Sequence, residues 1–153
     1  MPEPIIRPAR ADEYDEVGRV WMESWVSTGL GEASNFLLAN LRARIRKEIE
    51  DGWSLYVADD NGTIAAMLAL HLPKRYLDML FVAPEYQGRS VGRQLLAFTR
   101  KQLPDEIWLR CVRENEKAWR WYEREGFLFE KEAIEPMNGL MMKYYRWNRL
   151  GTP

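Results

Sequence analysis

The residues of this chain that could do chemistry are concentrated in the segment 82–96, which reads VAPEYQGRSVGRQLL. In it an apolar strand passes into an amphipathic helix through a turn of small residues. Backbone N–H groups in the first turn of a helix lack helical partners and lie at the positive end of its dipole, so they bind anions such as phosphate. Gly88 and Gly92 would let a ligand approach the backbone, and Arg89 and Arg93 add positive charge. Glycines at such a turn also serve as packing devices, so the turn by itself indicates either role.

Histidine and cysteine content limits the chemistry further. The chain has one histidine, His71, and one cysteine, Cys111. A Cys–His or Ser–His nucleophilic site would need that one imidazole, and no cluster has the spacing of zinc ligands, so we expect no metal. Cys111 alternates with Ile107 and Leu109, which is typical of a buried strand face. We therefore interpret His71 as a strand-end residue and Cys111 as a core residue.

Length and charge favour one ordinary domain. With 153 residues, 46% of them hydrophobic, residues 1–153 fit a single domain. The 22 basic and 23 acidic residues give a net charge of −1, which favours no nucleic-acid partner. The N-terminus offers only Ile5-Ile6 where a signal peptide needs a longer apolar core, and the apolar run 64–70 is too short to cross a bilayer. The composition therefore predicts a cytoplasmic protein with no membrane partner.

Periodicity and turn residues predict the element order β α α β β β α β α β β. Asp12 is predicted to cap the first helix, and a second helix is predicted from Leu37, Leu41, Ile45 and Ile49, which recur every four residues. Asn61-Gly62 between apolar runs predicts a hairpin, and the segment 76–112 reads as strand, crossover helix and parallel strand. The predicted strands are residues 4–8, 54–59, 63–72, 76–82, 106–112, 127–134 and 140–147. The expected fold is α/β (α+β), with a mixed, mostly antiparallel sheet of about seven strands, a central parallel βαβ crossover and helices on both faces.

Two motifs in this order resemble the GNAT superfamily of acyl-CoA-dependent N-acyltransferases. The first is LFVAPEYQGRSVG at 80–92, and the second follows one helix and one strand later. The second motif consists of Asn115, Ala118, Trp121, Tyr122, Gly126 and Phe127. Together they are far more specific than either alone, and the resemblance runs from Ile5 to about Trp147. It implies acetyl-CoA as the co-substrate.

The resemblance also implies where coenzyme A would bind. In the family, the segment matching Gln87–Arg93 wraps the pyrophosphate, and the strand edge matching Leu80–Val82 bulges, splays from its parallel neighbour and holds the acyl group. Ser90 departs from the usual glycine, although its hydroxyl could cap the helix or donate to a phosphate oxygen. The implied cofactor-binding residues are Leu80, Phe81, Val82, Gln87, Gly88, Arg89, Ser90, Val91, Gly92, Arg93 and Asn115.

Tyr122 is the residue that the resemblance implies as general acid. A thiolate with a thiol pKa of about 8.5 can take a proton from a phenol with a pKa of about 10 as it leaves. Tyr122 also lies on an apolar helical stripe with Ala118 and Trp121, so a purely structural role is the alternative.

The general base is harder to assign, because Arg110 stands where many relatives have a glutamate. Asp78 alternates with Leu80 and Val82, which predicts that it shares their face of the strand. From there it could take the proton of an ammonium substrate or bind its charge. Alternatively, Arg75 or a strand-end amide satisfies this carboxylate.

The acceptor site in this family is shaped by the first two helices and the last hairpin. Here these segments carry Trp21, Trp25, Tyr144, Tyr145, Glu23 and Glu32. Aromatic rings with carboxylates suit a cationic amine, and they equally suit a homodimer interface or a core.

The resulting hypothesis is an enzyme that transfers acetyl from acetyl-CoA to a primary amine of a small molecule or a protein by direct attack. The alternative is a non-catalytic acyl-CoA-binding or regulatory module, which Arg110 would favour. An RNA-directed relative would need a more concentrated basic rim than the segment 42–47 provides.

Overall fold

Seven strands form one sheet in the computed structural model of the chain, which describes residues 3–30 and 38–151. The strands are β1 (Ile5–Pro8), β2 (Ser54–Asp60), β3 (Thr63–His71), β4 (Tyr76–Val82), β5 (Glu106–Val112), β6 (Leu128–Ile134) and β7 (Met141–Asn148). The helices are α1 (Tyr14–Ser27), α2 (Leu38–Glu50), α3 (Val91–Gln102) and α4 (Glu116–Arg124). The strand order is β1-β2-β3-β4-β5-β7-β6, and β4–β5 is the one parallel pair among these strands.

The predicted elements are confirmed to within a residue or two, because the signals that define them are local. Asn61 and Gly62 take positive φ values of 51° and 94°, as a tight hairpin turn between β2 and β3 requires. Of the four apolar positions that predicted the second helix, Leu41, Ile45 and Ile49 lie in α2, and Leu37 lies outside the described residues. No helix in the described ranges is long and apolar enough to cross a bilayer.

Helices cover both faces of the sheet, as predicted. On one face α1 and α2 bury Val17, Trp21 and Ile45 against β2 and β3. On the other face α3 and α4 bury Leu95 and Tyr122 against β3, β4, β5 and β7. Strand β3 lies between both layers and is buried along its whole length after Thr63. The central crossover β4–α3–β5 therefore rests on a rigid double-sided core.

The start of α1 differs from the prediction. Asp12 does not cap the helix but lies exposed in a single 3-10 turn. The carboxylate of Glu13 caps this turn instead, because it accepts the Arg10 backbone N–H at 2.8 Å. It also accepts two hydrogen bonds from the Arg7 guanidinium, at 2.9 and 2.6 Å, and Arg7 donates to Asp59 at 3.1 Å. These bonds tie β1 to the start of α1 and to β2.

The Arg7–Glu13 pair should make the fold sensitive to acid. The Arg7 hydrogen bonds lower the pKa of Glu13 from 4.5 to about 2, so the folded state binds the proton less readily than the unfolded state. The stabilisation is complete above the unfolded pKa and is lost as the pH falls from 4.5 towards 2. Glu13→Gln should flatten the fall in the free energy of unfolding across this interval, measured by urea denaturation. Asp12→Asn, at the exposed neighbour, should keep the wild-type slope. The prediction would be contradicted if the free energy of unfolding fell equally steeply with pH in wild type and in Glu13→Gln.

Candidate functional site

Strands β4 and β5 separate almost as soon as they meet. Their register contains a single residue pair, Tyr76 with Trp108, and the Trp108 backbone N–H donates to the Arg75 carbonyl at 3.0 Å. The two rings of this pair stack, with centroids 4.0 Å apart and planes at 15°. Beyond them the strands diverge around a cavity of about 920 Å³. The expected splayed edge is thus present in the sheet.

The bulge in β4 lies earlier than the resemblance implied. The β3–β4 register pairs Ala69 with Met79 and then Leu70 with Leu77, so Asp78 is the extra residue. The expected bulge at Leu80–Val82 is wrong, because those residues keep regular antiparallel pairing with β3. A one-residue bulge reverses the side to which the preceding residues point.

The bulge also changes the face on which Asp78 lies. Leu80 and Val82 pack against the cluster on the α3 and α4 side, whereas Asp78 contacts Trp53 in the cluster on the α1 and α2 side. The prediction that Asp78 shares a face with Leu80 and Val82 is therefore wrong. The proposed partner Arg75 is engaged elsewhere, with Glu106 at 3.2 Å.

Asp78 is held by neighbouring side chains and also lines the cavity. The Trp53 indole Nε1–H donates to its Oδ2 at 2.7 Å, and His71 Nε2 lies 3.6 Å from the same oxygen. The Asp78 side chain remains 18% exposed, so water reaches it through the cavity. The carboxylate is thus fixed in position and still open to a ligand.

The turn between β4 and α3 presents a row of unsatisfied backbone donors. In the described part of the chain, the N–H groups from Gly88 to Arg93 make no well-formed hydrogen bond to another backbone group, and the first helical bond runs from Gln94 N–H to the Ser90 carbonyl. Ser90 begins α3 in the left-handed region, with a φ of 66°, and its hydroxyl makes no capping hydrogen bond. Of the two roles considered for this hydroxyl, the helix cap is therefore absent, and donation to a phosphate oxygen stays a prediction.

The two glycines of the turn differ in their surroundings. Gly88 has a φ of 80° and open space where a Cβ would point. A Cβ on Gly92 would lie 3.4 Å from the Trp121 ring, so its close approach is to α4. Arg93 reaches α4 as well, donating to Glu125 at 3.3 Å. Arg89 does not line the cavity, and its guanidinium lies over the Tyr86 ring.

The predicted residues of α4 and its start face the same cavity. Tyr122 is 6% exposed and lies against Trp121 and Phe127. Its hydroxyl forms no hydrogen bond with another described residue, and burial raises the pKa of Tyr122 well above 10. Burial likewise raises the pKa of the nearby Cys111 thiol to about 12, which leaves it an unreactive part of the wall. Asn115 begins α4, and its amide makes no capping hydrogen bond.

Most of the predicted site residues therefore line one cavity. The predicted residues that line it are Asp78, Leu80, Phe81, Val82, Gln87, Gly88, Ser90, Val91, Gly92, Arg93, Asn115 and Tyr122. Free backbone donors lie beside an open strand edge, a protonated phenol and a carboxylate. Such a set can bind a phosphate-bearing acyl carrier and move protons to and from it.

Comparison with known proteins agrees with this geometry. Residues 15–127 match the family model described as Acetyltransferase (GNAT) family. The chain belongs to this family. It is an acetyl-CoA-dependent N-acetyltransferase that transfers acetyl to an amine, and its membership does not favour the non-catalytic alternative.

Two curated relatives come from Escherichia coli strain K12. The peptidyl-lysine N-acetyltransferase YiaC is 24% identical over 127 residues, covering 80% of this chain and 82% of the relative. The peptidyl-lysine N-acetyltransferase YjaB is 28% identical over 127 residues, covering 80% of each. The solved structure of PaiA N-acetyltransferase from Thermoplasma acidophilum in complex with coenzyme A shares the fold, with a TM-score of 0.73, 19% identity, and 96% and 100% coverage of the two chains.

Some residues of the acetyltransferase cavity escaped the sequence prediction. Lys117, Trp121 and Arg124 line it from α4. Their spacing of i, i+4 and i+7 places them on one helix face, a signal that was available in the sequence. The other lining residues that were missed include Ser24, Arg44, Asn138, Leu140 and Met142.

The predicted acceptor residues are only partly assembled. Trp21 and Trp25 line the cavity. Tyr144, Tyr145 and Glu23 do not line it, and Tyr145 is fully buried with its hydroxyl on Glu123 at 2.6 Å. Glu32 lies outside the described residues. The part of the cavity that contains Trp21 and Trp25 is lined mainly by α1, α2 and β4.

Arg110 lines the cavity without presenting a free charge. Its guanidinium forms an ion pair with Glu135 from the β6–β7 turn and donates to the Tyr76 hydroxyl at 3.2 Å. The hydrogen bond from Arg110 lowers the pKa of Glu135, which keeps the pair ionised. The pair therefore contributes no net charge to this wall of the cavity.

Ser90 supplies a test of the phosphate-binding turn. Its left-handed φ favours glycine, so Ser90→Gly should bind acetyl-CoA at least as tightly as wild type in calorimetric titration. Ser90→Leu adds bulk beside the free N–H groups and should weaken binding about tenfold or more, equivalent to about 1.4 kcal/mol. Asn61→Leu, at another non-glycine residue with positive φ, should lower stability without changing the affinity. Unchanged affinity in Ser90→Leu would refute the placement of the pyrophosphate.

Proposed function

We propose that this acetyltransferase acetylates the side-chain amino group of lysine residues in proteins by direct attack on the thioester. The observation that carries the proposal is that the open β4 edge, Tyr122 and Asp78 all line one cavity. The names of YiaC and YjaB support lysine in a protein as the acceptor.

The β4 edge is suited to hold the acyl arm of acetyl-CoA. Beyond Tyr76 the edge of β4 that faces β5 has no partner among the described strands. The amide groups of pantetheine can pair with backbone groups there, as an added strand would. A backbone N–H from Leu80–Val82 would then donate to the thioester oxygen as negative charge develops on it.

The free N–H groups from Gly88 to Arg93 would bind the pyrophosphate of the coenzyme. Asn115 would extend this surface along the pantetheine, since it lines the same cavity. Lys117 and Arg124 line the same cavity and add positive charge for phosphate groups.

Tyr122 would be the general acid. The amine nitrogen attacks the carbonyl carbon, the carbon–sulfur bond breaks, and the departing thiolate takes the phenolic proton. Because burial raises its pKa, the phenol is protonated at any working pH. The same dry surroundings disfavour the thiolate and raise its affinity for the proton, which offsets the weaker acidity of the phenol.

Asp78 would take the proton that the lysine ammonium must lose before attack, directly or through one water. Trp53 holds one carboxylate oxygen, so the other can face the acceptor. Trp21 and Trp25 at the same end of the cavity offer rings against which an ammonium and its aliphatic stem can pack.

Removing the phenolic hydroxyl should slow the chemical step selectively. Tyr122→Phe should lower kcat about a hundredfold or more while leaving the acetyl-CoA dissociation constant within about twofold. Tyr56→Phe, at a partly buried tyrosine that packs on Phe98 outside the cavity, is the matched control and should retain full kcat. Release of coenzyme A thiol gives the rate. A Tyr122→Phe enzyme with wild-type kcat would exclude this acid.

The acceptor is tested with a lysine peptide whose N-terminus is blocked, beside spermidine and free amino acids. Mass spectrometry should find one acetyl group on the lysine side chain, with the peptide preferred over the small amines. Asp78→Asn should lower kcat about a hundredfold and keep acetyl-CoA affinity, because only the proton acceptor is lost. Asp105→Asn is the control, since Asp105 lies outside the cavity. Faster turnover of a small amine than of any peptide would contradict the lysine assignment.

A further inference from the structure

Three side chains that commonly bind metals converge behind the bulge of β4. Glu48 comes from the last turns of α2, His71 from the end of β3, and Asp78 from the bulge itself. Each offers one oxygen or nitrogen, and these three atoms lie within 4.8 Å of one another. No spacing in the sequence joins them, because each belongs to a different element.

Within the described residues the two carboxylates of the cluster have no lysine or arginine partner. Two carboxylates this close repel each other, and the repulsion is stronger away from bulk water. Among the described residues neither Glu48 nor Asp78 forms an ion pair with lysine or arginine, and Lys47 is directed to Asp51 at 3.4 Å. A bound cation would relieve the repulsion.

The side chains are also held in place as metal ligands usually are. His71 is 9% exposed, and its ring lies parallel to Tyr76 at 6.0 Å. The Trp53 Nε1–H donates to Asp78 Oδ2, which is the kind of outer hydrogen bond that orients a ligating carboxylate. Glu48 is partly exposed and can adjust by a rotation of its side chain.

We propose that Glu48, His71 and Asp78 form a binding site for a divalent transition-metal ion, with Zn²⁺ as its best-matched occupant. Imidazole nitrogen together with carboxylate oxygen suits Zn²⁺, and three protein ligands leave one position for water. Mg²⁺ and Ca²⁺ prefer all-oxygen sites with more ligands, so they should bind poorly. The sequence analysis predicted no metal ion, because it searched for ligand spacing along the chain and these three residues are far apart in sequence.

Bound Zn²⁺ should inhibit acetyl transfer. Asp78 cannot accept the lysine proton while it ligates a metal ion, so occupancy would withdraw the proposed base from the acceptor. This consequence rests on the proposed function, whereas binding of the metal does not.

The binding test is calorimetric titration of tag-free protein with ZnCl₂, without acetyl-CoA. Wild type should bind one Zn²⁺ per chain, and His71→Asn and Glu48→Gln should each weaken binding about tenfold or more. Glu50→Gln, on the exposed side of the same helix end, and Cys111→Ala should bind as wild type does. Because His71 is the one histidine of the chain, its ring NMR signals should shift on addition of Zn²⁺ but not of Mg²⁺.

The outcomes separate the metal site from the proposed function. Absent binding, or binding unchanged in both His71→Asn and Glu48→Gln, overturns the site whatever the activity. Binding with unchanged acetyl transfer keeps the site and overturns Asp78 as the base. Inhibition in wild type that Glu48→Gln relieves supports both. Glu48→Gln keeps the test usable if His71→Asn does not fold, because Glu48 is partly exposed on α2.

Discussion

The separation of β4 from β5 is the constraint on which the rest of the structure depends. A parallel pair normally continues its hydrogen bonds along both strands, but here the pairing ends at Tyr76 and Trp108. The stacked rings of this pair close the narrow end of the opening, and the bulge at Asp78 redirects β4 immediately beyond it. Strand β4 keeps its ladder with β3, so the loss is confined to one edge. Unpaired backbone groups are costly when dry, and this edge therefore favours water or a ligand that brings its own amides.

Like the edge of β4, the glycine turn at the start of α3 has backbone groups without hydrogen-bond partners in the described part of the chain. Its backbone leaves the N–H groups from Gly88 to Arg93 without a partner among the described backbone groups, and it does so partly by holding Ser90 at a φ that glycine adopts more easily. Gly92 lets α3 approach Trp121 of α4 closely. The glycine turn and the helix that carries Tyr122 are thus packed as one unit. In the proposed mechanism, a shift of either would move the coenzyme relative to its acid.

The sequence was sufficient for the elements and for most of the cavity, because alternation, capping and glycine signals are local. It was insufficient for Asp78, since a one-residue bulge leaves no mark in the pattern of apolar residues and yet reverses the face of the strand. The pairing of Arg110 with Glu135 depends on where the last hairpin lies against β5, which no local signal fixes. Glu48 meets His71 only through the packing of α2 on the sheet. Lys117, Trp121 and Arg124 are a different case, because their helical spacing was readable and was missed.

The two residues assigned to proton transfer lie in unlike surroundings, and the fold accounts for the difference. Tyr122 projects from α4 into the core and is almost fully buried, so its hydroxyl remains protonated. Asp78 lies on the other side of β4, partly exposed, with an indole N–H on one oxygen. The proposed acid and the proposed base are thus held in separate environments of the same cavity. The bulge produces the separation, because without it Asp78 would point to the α3 and α4 side with Leu80 and Val82, into the core that shelters Tyr122.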